Sequence, residues 1–187
     1  MLVFLKLGGS LITDKNRPYT PRLETINDLA HQILAALKDN PNLHILLGHG
    51  SGSFGHQPAS RFGTRNGVSG QKEWHGFTEV WHKASMLNRL IVDALINSGL
   101  PAITISPASA VHTRNRHVDS WDLTPIETSL KNGLLPVIYG DVAFDEVLGG
   151  TILSTEDLFA HLAVKLHPDR ILLAGLETGV WEDFPAR

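Results

Sequence analysis

The feature that most restricts the fold of this chain is a series of short apolar runs separated by helical patterns. The run Leu2–Leu7 ends at Gly8, and residues 43–47 form a second run that leads into a glycine-rich segment. Strands that are apolar throughout occur in parallel sheets whose two faces are both covered by helices. We therefore predict an α/β protein: a three-layer α/β/α sandwich with a mostly parallel central sheet.

The remaining predicted elements follow the same alternation. Apolar runs predict five strands, at residues 2–7, 43–47, 102–106, 134–139 and 170–174. Helical spacing and capping residues predict helices at residues 20–40 (with Thr20 as N-cap and Pro21 in the first turn), 74–99, 125–130 and 154–167. Residues 141–152 are predicted to form a hairpin or ordered loop. Because no helix pattern follows the fifth strand, we expect residues 1–187 to be one domain that lacks its C-terminal part.

Composition excludes several classes of function. The 187 residues carry 16 Lys and Arg against 19 Asp and Glu, which argues against a protein that mainly coats nucleic acid or an anionic membrane. There is no cysteine, so disulfides, thiolate nucleophiles and zinc–cysteine sites are excluded. No apolar run approaches the roughly 18 residues of a membrane span. We expect a cytoplasmic protein with neither nucleic-acid nor membrane partners.

The first glycine turn, Gly8-Gly9-Ser10, follows a strand that carries Lys6 near its carboxyl end. Two glycines let backbone N–H groups approach an anion closely, and Lys6 and the nearby Lys15 could bind the same anion. The alternative is a tight turn beside two surface lysines. The segment is not a Walker A loop, which requires the pattern G-x-x-x-x-G-K-[ST].

The second glycine segment, Gly50 to Gly55, matches the pattern G-x-G-x-x-G. A dinucleotide-binding protein would carry an acidic residue about 20 residues later, at the end of a second strand. Glu73 lies near that distance but begins a helical pattern, which argues against a dinucleotide site. Phosphate binding by the loop and the following helix N-terminus is the better interpretation. His56 could then donate to a second phosphate, or it could be an ordinary surface histidine.

The third cluster, Ser154 to Asp157, combines hydroxyl and acidic side chains at a predicted helix start. This pattern is typical of an N-cap, and Asp157 could in addition orient the lysines or a metal. The other histidines, among them His112 and His117, match no metal-binding spacing. We therefore predict no protein ligands to a metal.

Taken in order, the motifs KLGGS, GHGSGSFGH, GDV, TILSTEDL and RILLAGLETGVW resemble those of the amino acid kinase superfamily. Within it the chain resembles the isopentenyl phosphate kinases, because GSFGH places a histidine where amino-acid-phosphorylating relatives lack one. The resemblance implies ATP-dependent phosphorylation of isopentenyl phosphate, with ATP and Mg²⁺ as cofactors. It also implies that the partners are small molecules, and it is compatible with a homodimer. The alternatives are a kinase of the same superfamily that acts on another small molecule, such as a phosphonate antibiotic, and a non-catalytic nucleotide-binding domain.

The resemblance also implies a role for each matching residue. It assigns ATP binding to Lys6, Gly8, Gly9, Ser10, Gly52, Thr178 and Gly179. It assigns acceptor binding to Ser51, Gly55, His56 and Gly140, with His56 on the phosphate that the acceptor already carries. The implied catalytic residues are Lys6, Lys15, His56 and Asp157, where Lys15 stabilises the transferred phosphoryl group and Asp157 organises the lysines. A prenyl tail needs a dry pocket, and the helix face with Phe77 and Trp81 could supply it or be ordinary core.

Overall fold

The computed structural model describes residues 1–176 of the chain. The strands in this part are β1 Leu2–Leu7, β2 His44–His49, β3 Ala102–Thr104, β4 Val111–Arg114, β5 His117–Trp121, β6 Leu135–Tyr139, β7 Asp141–Asp145, β8 Gly149–Leu153 and β9 Arg170–Ala174. The helices are α1 Gly9–Ile12, α2 Leu23–Asp39, α3 Gly52–Phe62, α4 Gln71–Asn97, α5 Pro107–Ala110, α6 Thr124–Lys131 and α7 Thr155–Leu166, with a short 3₁₀ helix at Thr64–Asn66. None of these helices combines the length and the apolar character needed to cross a bilayer.

Five strands form a central sheet in the order β3-β6-β2-β1-β9, and every neighbouring pair in it is parallel. All five apolar runs that predict strands belong to this sheet, which confirms the predicted α/β architecture. In the parallel register Lys6 lies beside Gly48 and Leu7 beside His49, so β1 and β2 end at the same edge. Ligands of open α/β sheets bind beyond this carboxyl edge, where both glycine turns lie.

Helices cover both faces of the central sheet and complete the three layers. On one face, Ile33 of α2 and Ile91 of α4 belong to the same buried cluster as Leu47 of β2. On the other face, Phe4 of β1 packs against Phe159 of α7, with their ring centroids 5.0 Å apart. Burial on two sides is why β1, β2 and β6 are largely apolar, whereas the side chains of β9 are mostly exposed in the described part of the chain.

A second sheet, in the order β5-β4-β7-β8, contains the β7–β8 hairpin that the sequence predicts and a β4–β5 hairpin that it does not. The carboxylate of Asp145 joins the two hairpins. It accepts hydrogen bonds from the N–H groups of Asn115 and Arg116 in one turn and of Val147 and Leu148 in the other. Desolvation acts to raise the pKa of Asp145, but hydrogen bonds such as those from Arg116 and Leu148 hold this pKa well below its usual range.

The predicted start of the first long helix is wrong. Thr20 and Pro21 do not open it, because α2 begins at Leu23. Pro21 instead forms an isolated antiparallel bridge with Thr13, and the N–H of Arg22 donates to the carbonyl of Ile12 at 2.8 Å. These contacts tie the end of the preceding loop back to the first glycine turn, so the chain is still extended where local propensity favours a helix start.

The second glycine segment is more helical than its composition suggests. His56, predicted to lie in a turn, is the fifth residue of α3, which also contains Pro58. Glycine and proline both disfavour a helix in isolation. The helix is held by its packing, because Phe54 is buried in the main core cluster and forms an edge-on contact with Tyr19.

Two buried ionisable side chains have pKa values that burial shifts in opposite ways. Burial lowers the pKa of His49 to about 4, against the hydrogen bonds that its ring makes with the Gly50 carbonyl and Asn88. Burial raises the pKa of Asp141 to about 7, although one of its oxygens accepts a hydrogen bond from Val142. The other oxygen of Asp141 has no hydrogen-bond partner among the described residues. Both side chains are therefore neutral in the folded protein at pH values where the unfolded chain would charge them.

His49 and Asp141 predict two opposite contributions to the pH dependence of stability. Between pH 4 and 6.5 the unfolded chain protonates His49, so stability rises with pH. Over pH 4 to 7 only the folded protein keeps Asp141 protonated, so stability falls with pH, and the two trends offset each other. In Asp141→Asn the free energy of unfolding should rise relative to wild type by roughly 3–4 kcal/mol from pH 4 to 7.

Urea unfolding at pH 4, 5, 6 and 7 measures this difference directly. Asp28→Asn removes an exposed carboxylate of α2 and serves as the control, because its profile should run parallel to that of the wild type. A profile of Asp141→Asn that also runs parallel to the wild type would show that Asp141 is ionised when buried.

Candidate functional site

A cavity of about 510 Å³ lies at the carboxyl edge of β1 and β2. It is lined by most of the residues to which the sequence assigns a role: Lys6, Gly9, Ser10, Lys15, Ser51, Gly52, Gly55, His56 and Gly140. These residues come from distant parts of the chain and meet because parallel strands all end at one edge of the sheet. Thr178 and Gly179, which the sequence predicts on the ATP side, lie outside the described residues.

The two glycine turns meet face to face at the floor of this cavity. A Cβ atom on Gly9 would lie 2.7 Å from the backbone of Gly52, so no side chain fits there. Gly52 also has a φ of +49°, and a Cβ on it would collide with the Thr13 hydroxyl. Gly8 takes no direct part, because its N–H donates to the Ala174 carbonyl of β9 at 2.8 Å. Within the described residues, the first turn faces the cavity through Gly9 and Ser10.

Thr13 ties the two turns together. Its hydroxyl donates to the carbonyl of Gly9 at 2.6 Å and accepts from the N–H of Ser53 at 3.0 Å. Thr13 is completely buried, and its hydrogen bond with Ser53 is shielded from water. One side chain thereby fixes the start of α3 relative to the end of β1.

Lys6 enters the cavity from the end of β1 and forms an ion pair with Glu156 in the first turn of α7. The side chain of Lys6 is only 14% exposed, whereas that of Glu156 is 56% exposed. The lysine stem is thus held by the sheet, and the carboxylate orients its ammonium group at the cavity wall. An incoming phosphate would compete with Glu156 for this ammonium group.

Asp157 has partners different from those that the sequence predicts. The sequence expects it to organise the lysines, but its carboxylate accepts hydrogen bonds from the N–H and hydroxyl of Ser154, both at 2.8 Å. Ser154 in turn accepts from the N–H of Asp157, which completes a capping box and confirms the predicted N-cap. The same carboxylate lies 3.7 Å from Arg65, and Glu156 is the acidic residue that contacts Lys6. Asp157 and Gly8 do not line the cavity.

Lys15 and His56 also line the cavity, and both are exposed. Desolvation lowers the pKa of His56 below its ordinary value of 6.5, and the positive charge of Lys15 lowers it further. At pH 7 the imidazole is therefore neutral and offers one N–H donor to a ligand. Lys15 therefore lies close enough to His56 for its charge to act on the imidazole, while the roles of both residues stay predictions.

The apolar wall of the cavity differs from the predicted one. Ala59, Val80 and Ile152 line it, whereas the side chain of Trp81 does not. Trp81 is 45% exposed and borders a separate groove between α4, α5 and β7, the outer groove, so of the two alternatives for this side chain it neither floors the cavity nor belongs to the core. Phe77 is buried in the same small cluster as Val80, behind the wall rather than in it.

The sequence analysis assigns no role in the site to several residues that belong to it: Thr13, Arg65, Val80, Ile152 and Glu156. Helical spacing could have identified Val80, because it precedes Ala84 by four residues and both lie on the buried face of α4. Glu156 stands beside the predicted Asp157 and carries the same chemistry. Thr13 and Arg65 lie in segments without periodicity, so no local pattern marks them.

Comparisons with known proteins agree with this geometry. Residues 1–187 match the model of the amino acid kinase family. An isopentenyl phosphate kinase of Methanocaldococcus jannaschii is 34% identical over 192 residues, covering 98% of this chain and 72% of that protein. An X-ray structure of isopentenyl phosphate kinase superposes with a TM-score of 0.90 at 28% identity, over 99% of this chain and 77% of that one. A substrate complex of isopentenyl phosphate kinase gives a TM-score of 0.84 at 29% identity, over 99% and 75%.

The contact between the glycine turns predicts the cost of a methyl group at Gly52. Gly63 also has a positive φ, +64°, but a Cβ there would have no neighbour within 4 Å, so Gly63→Ala is a matched control. Gly63→Ala should destabilise the protein by about 1–2 kcal/mol through backbone strain alone. Gly52→Ala should cost about 1–3 kcal/mol more, because Thr13 and the Gly9 carbonyl must move. Urea unfolding of the two variants measures the difference, and equal losses would contradict the close contact.

Proposed function

The chain belongs to the amino acid kinase family and, within it, to the isopentenyl phosphate kinases, and we propose that it transfers the γ-phosphoryl group of ATP to isopentenyl phosphate. The observation that carries this proposal is the composition of one cavity. Lys6, Lys15 and His56 line it together with the glycine turns, and Ala59, Val80 and Ile152 supply apolar side chains. Such a cavity suits a ligand with a phosphate at one end and a hydrocarbon tail at the other.

The proposed reaction requires that the acceptor phosphate be aligned with the γ-phosphorus of ATP and that the negative charges of both be neutralised. An oxygen of the acceptor phosphate attacks the γ-phosphorus of ATP, and the bond from that phosphorus to the β–γ bridging oxygen breaks. The electron pair leaves with ADP, and the product is isopentenyl diphosphate. Because the attacking oxygen is already deprotonated at pH 7, no strong general base is needed.

The protein's own residues supply the alignment in this proposal. Lys6 and the backbone of Gly9 and Ser10 hold the phosphates of ATP on the side of β1. Lys15 lines the same cavity and stabilises charge on the transferred phosphoryl group. His56 donates a hydrogen bond to the phosphate of the acceptor, and the glycine turns let that phosphate approach the backbone.

Mg²⁺ is proposed to accompany ATP. Residues 1–176 contain no group of three or more histidine and acidic side chains placed to hold a metal. Mg²⁺ is often bound by one or two carboxylates together with substrate phosphates. Among the residues that line the cavity, Glu156 offers a suitable carboxylate. When bound, the ion would neutralise charge on the ATP phosphates.

Several finer points stay predictions from the sequence. They are a role of the product in isoprenoid biosynthesis, a cytoplasmic location, the lack of nucleic-acid and membrane partners, a homodimer, and one kinase-like domain over residues 1–187. The assignment of Thr178 and Gly179 to ATP binding also stays a prediction.

The proposed function is tested through His56. A hydrogen bond to a charged group contributes about 1.5–3 kcal/mol, or roughly ten- to a hundredfold in binding. His56→Ala should therefore raise the KM for isopentenyl phosphate by about that factor and leave the KM for ATP nearly unchanged. His56→Gln, which keeps a donor, should recover part of the loss.

Steady-state kinetics with each substrate varied in turn decides this question. His31→Ala removes an exposed histidine of α2 that does not line the cavity and should match the wild type. If the wild type phosphorylates fosfomycin but not isopentenyl phosphate, the proposed acceptor is wrong. If it phosphorylates isopentenyl phosphate and His56→Ala behaves as wild type, His56 is a surface residue.

The apolar wall predicts the preference for chain length. Val80→Ala enlarges the cavity and should raise the kcat/KM for longer prenyl phosphates relative to isopentenyl phosphate. It should also cost about 2 kcal/mol of stability, because Val80 is buried. Val92→Ala is the matched control, since Val92 is buried on the same helix but does not line the cavity.

A substrate-length series and thermal unfolding, measured on the same preparations, test this prediction. Val92→Ala and Trp81→Ala should leave the ratio of kcat/KM values unchanged. A shift in that ratio caused by Trp81→Ala, with none caused by Val80→Ala, would place the tail in the outer groove.

A further inference from the structure

Arg65 lines the same cavity and has no role in the function described so far. It lies in the 3₁₀ helix Thr64–Asn66, directly after the helix that carries His56. The carbonyl of Arg65 accepts a hydrogen bond from the buried hydroxyl of Thr151 in β8 at 2.9 Å. Three residues later, the N–H of Val68 donates to the Leu148 carbonyl at 2.8 Å. Two hydrogen bonds therefore fix the backbone around Arg65 to the second sheet, one at the carbonyl of Arg65 and one in the turn that follows it.

The side chain of Arg65 has a defined partner. Its terminal nitrogen lies 3.7 Å from the carboxylate of Asp157, which two hydrogen bonds from Ser154 hold in place. Glu156, the preceding residue, pairs with Lys6. The first turn of α7 therefore holds one cation on each side of the cavity: Lys6 from the end of β1 and Arg65 from the segment after α3.

We propose that Arg65 binds the phosphate of the acceptor and that Asp157 positions Arg65 for this contact. This inference rests on the proposed function and adds a specificity residue to it. The location of Arg65 favours the acceptor over ATP, because Arg65 follows α3, and the wall around it is formed by Ala59, Val80 and Ile152. The phosphates of ATP are assigned instead to Lys6 and the first glycine turn.

The charges in the cavity support this assignment. The acceptor brings a phosphate with nearly two negative charges, while His56 is neutral at pH 7 because its pKa is lowered. A neutral donor can orient that phosphate but does not offset its charge. A guanidinium group carries a permanent charge and can bind two phosphate oxygens at once.

The existing ion pair does not prevent such binding. The side chains of Arg65 and Asp157 are 50% and 42% exposed, and pairs exposed to this extent are weak. A phosphate can therefore take over the guanidinium donors while Asp157 stays fixed by Ser154. In the free protein the pair keeps the long arginine side chain close to the position in which it binds.

The test compares Arg65→Gln, Arg65→Lys and Asp157→Asn with Arg61→Gln as the matched control. Arg61 is an exposed arginine of α3 that pairs with Glu79 at 3.6 Å and does not line the cavity. Steady-state kinetics gives the KM for each substrate, and calorimetry with isopentenyl phosphate in the absence of ATP gives the acceptor Kd.

Arg65→Gln should raise both the acceptor KM and the acceptor Kd roughly ten- to a hundredfold, while the KM for ATP changes less than about threefold. Arg65→Lys should recover part of the loss, because it restores the charge but not the two-point contact. Asp157→Asn should raise the acceptor KM in the same direction by a smaller factor, and Arg61→Gln should match the wild type.

The experiment distinguishes failure of the proposed function from failure of the role proposed for Arg65. If the wild type does not phosphorylate isopentenyl phosphate, the proposed function is wrong and the inference falls with it. If the wild type is active, and Arg65→Gln leaves the acceptor KM and Kd unchanged or raises only the KM for ATP, the proposed function stands and the role of Arg65 is overturned.

Discussion

The contact between Gly9 and Gly52 is the constraint on which the rest of the site depends. The parallel register of β1 and β2 brings the two turns to the same sheet edge, and they can meet only because neither residue has a side chain. Thr13 bridges them, so the start of α3 is fixed relative to β1. The loop that carries Lys15 is anchored on the same helix, since the N–H of Thr20 donates to the Ser53 hydroxyl at 3.3 Å. The positions of Lys15 and His56 therefore follow from one backbone contact.

The elements of the central sheet are those that the sequence predicts best. Leu2–Leu7 and Arg170–Ala174 have the predicted bounds, because a largely apolar run marks each of them as a strand of the parallel sheet. The β4–β5 hairpin has no such mark. Its strands are only four and five residues long, β5 is mostly exposed, and Asp145 of a distant strand holds its turn. The helix α3 is missed for a related reason, since tertiary packing stabilises it against its own glycines and proline.

The same distinction holds for the site: the local sequence marks some of its residues, whereas contacts between distant segments decide the partners of others. The glycine turns, the lysines and His56 are recognisable from the sequence because each lies at a fixed distance from a predicted strand end. The partners of the two acidic residues of α7 are not recognisable. Consecutive residues of a helix point about 100° apart, so Glu156 and Asp157 contact different cations, Lys6 and Arg65. Which cation each carboxylate contacts depends on the rotation of α7 against the sheet, to which the packing of residues such as Phe159 contributes.

This rotation also sets how the cavity distributes its charge before any ligand binds. Lys6 and Arg65 each have a carboxylate partner on α7, which lowers the repulsion between cations that must lie close together. Among residues 1–176, Lys15 forms no such ion pair, and its charge acts instead on His56, whose pKa it helps to lower. The positive potential of the free protein is thus least compensated at Lys15. An anion that enters the cavity therefore meets the strongest attraction at Lys15, to which the proposed function assigns the charge of the transferred phosphoryl group.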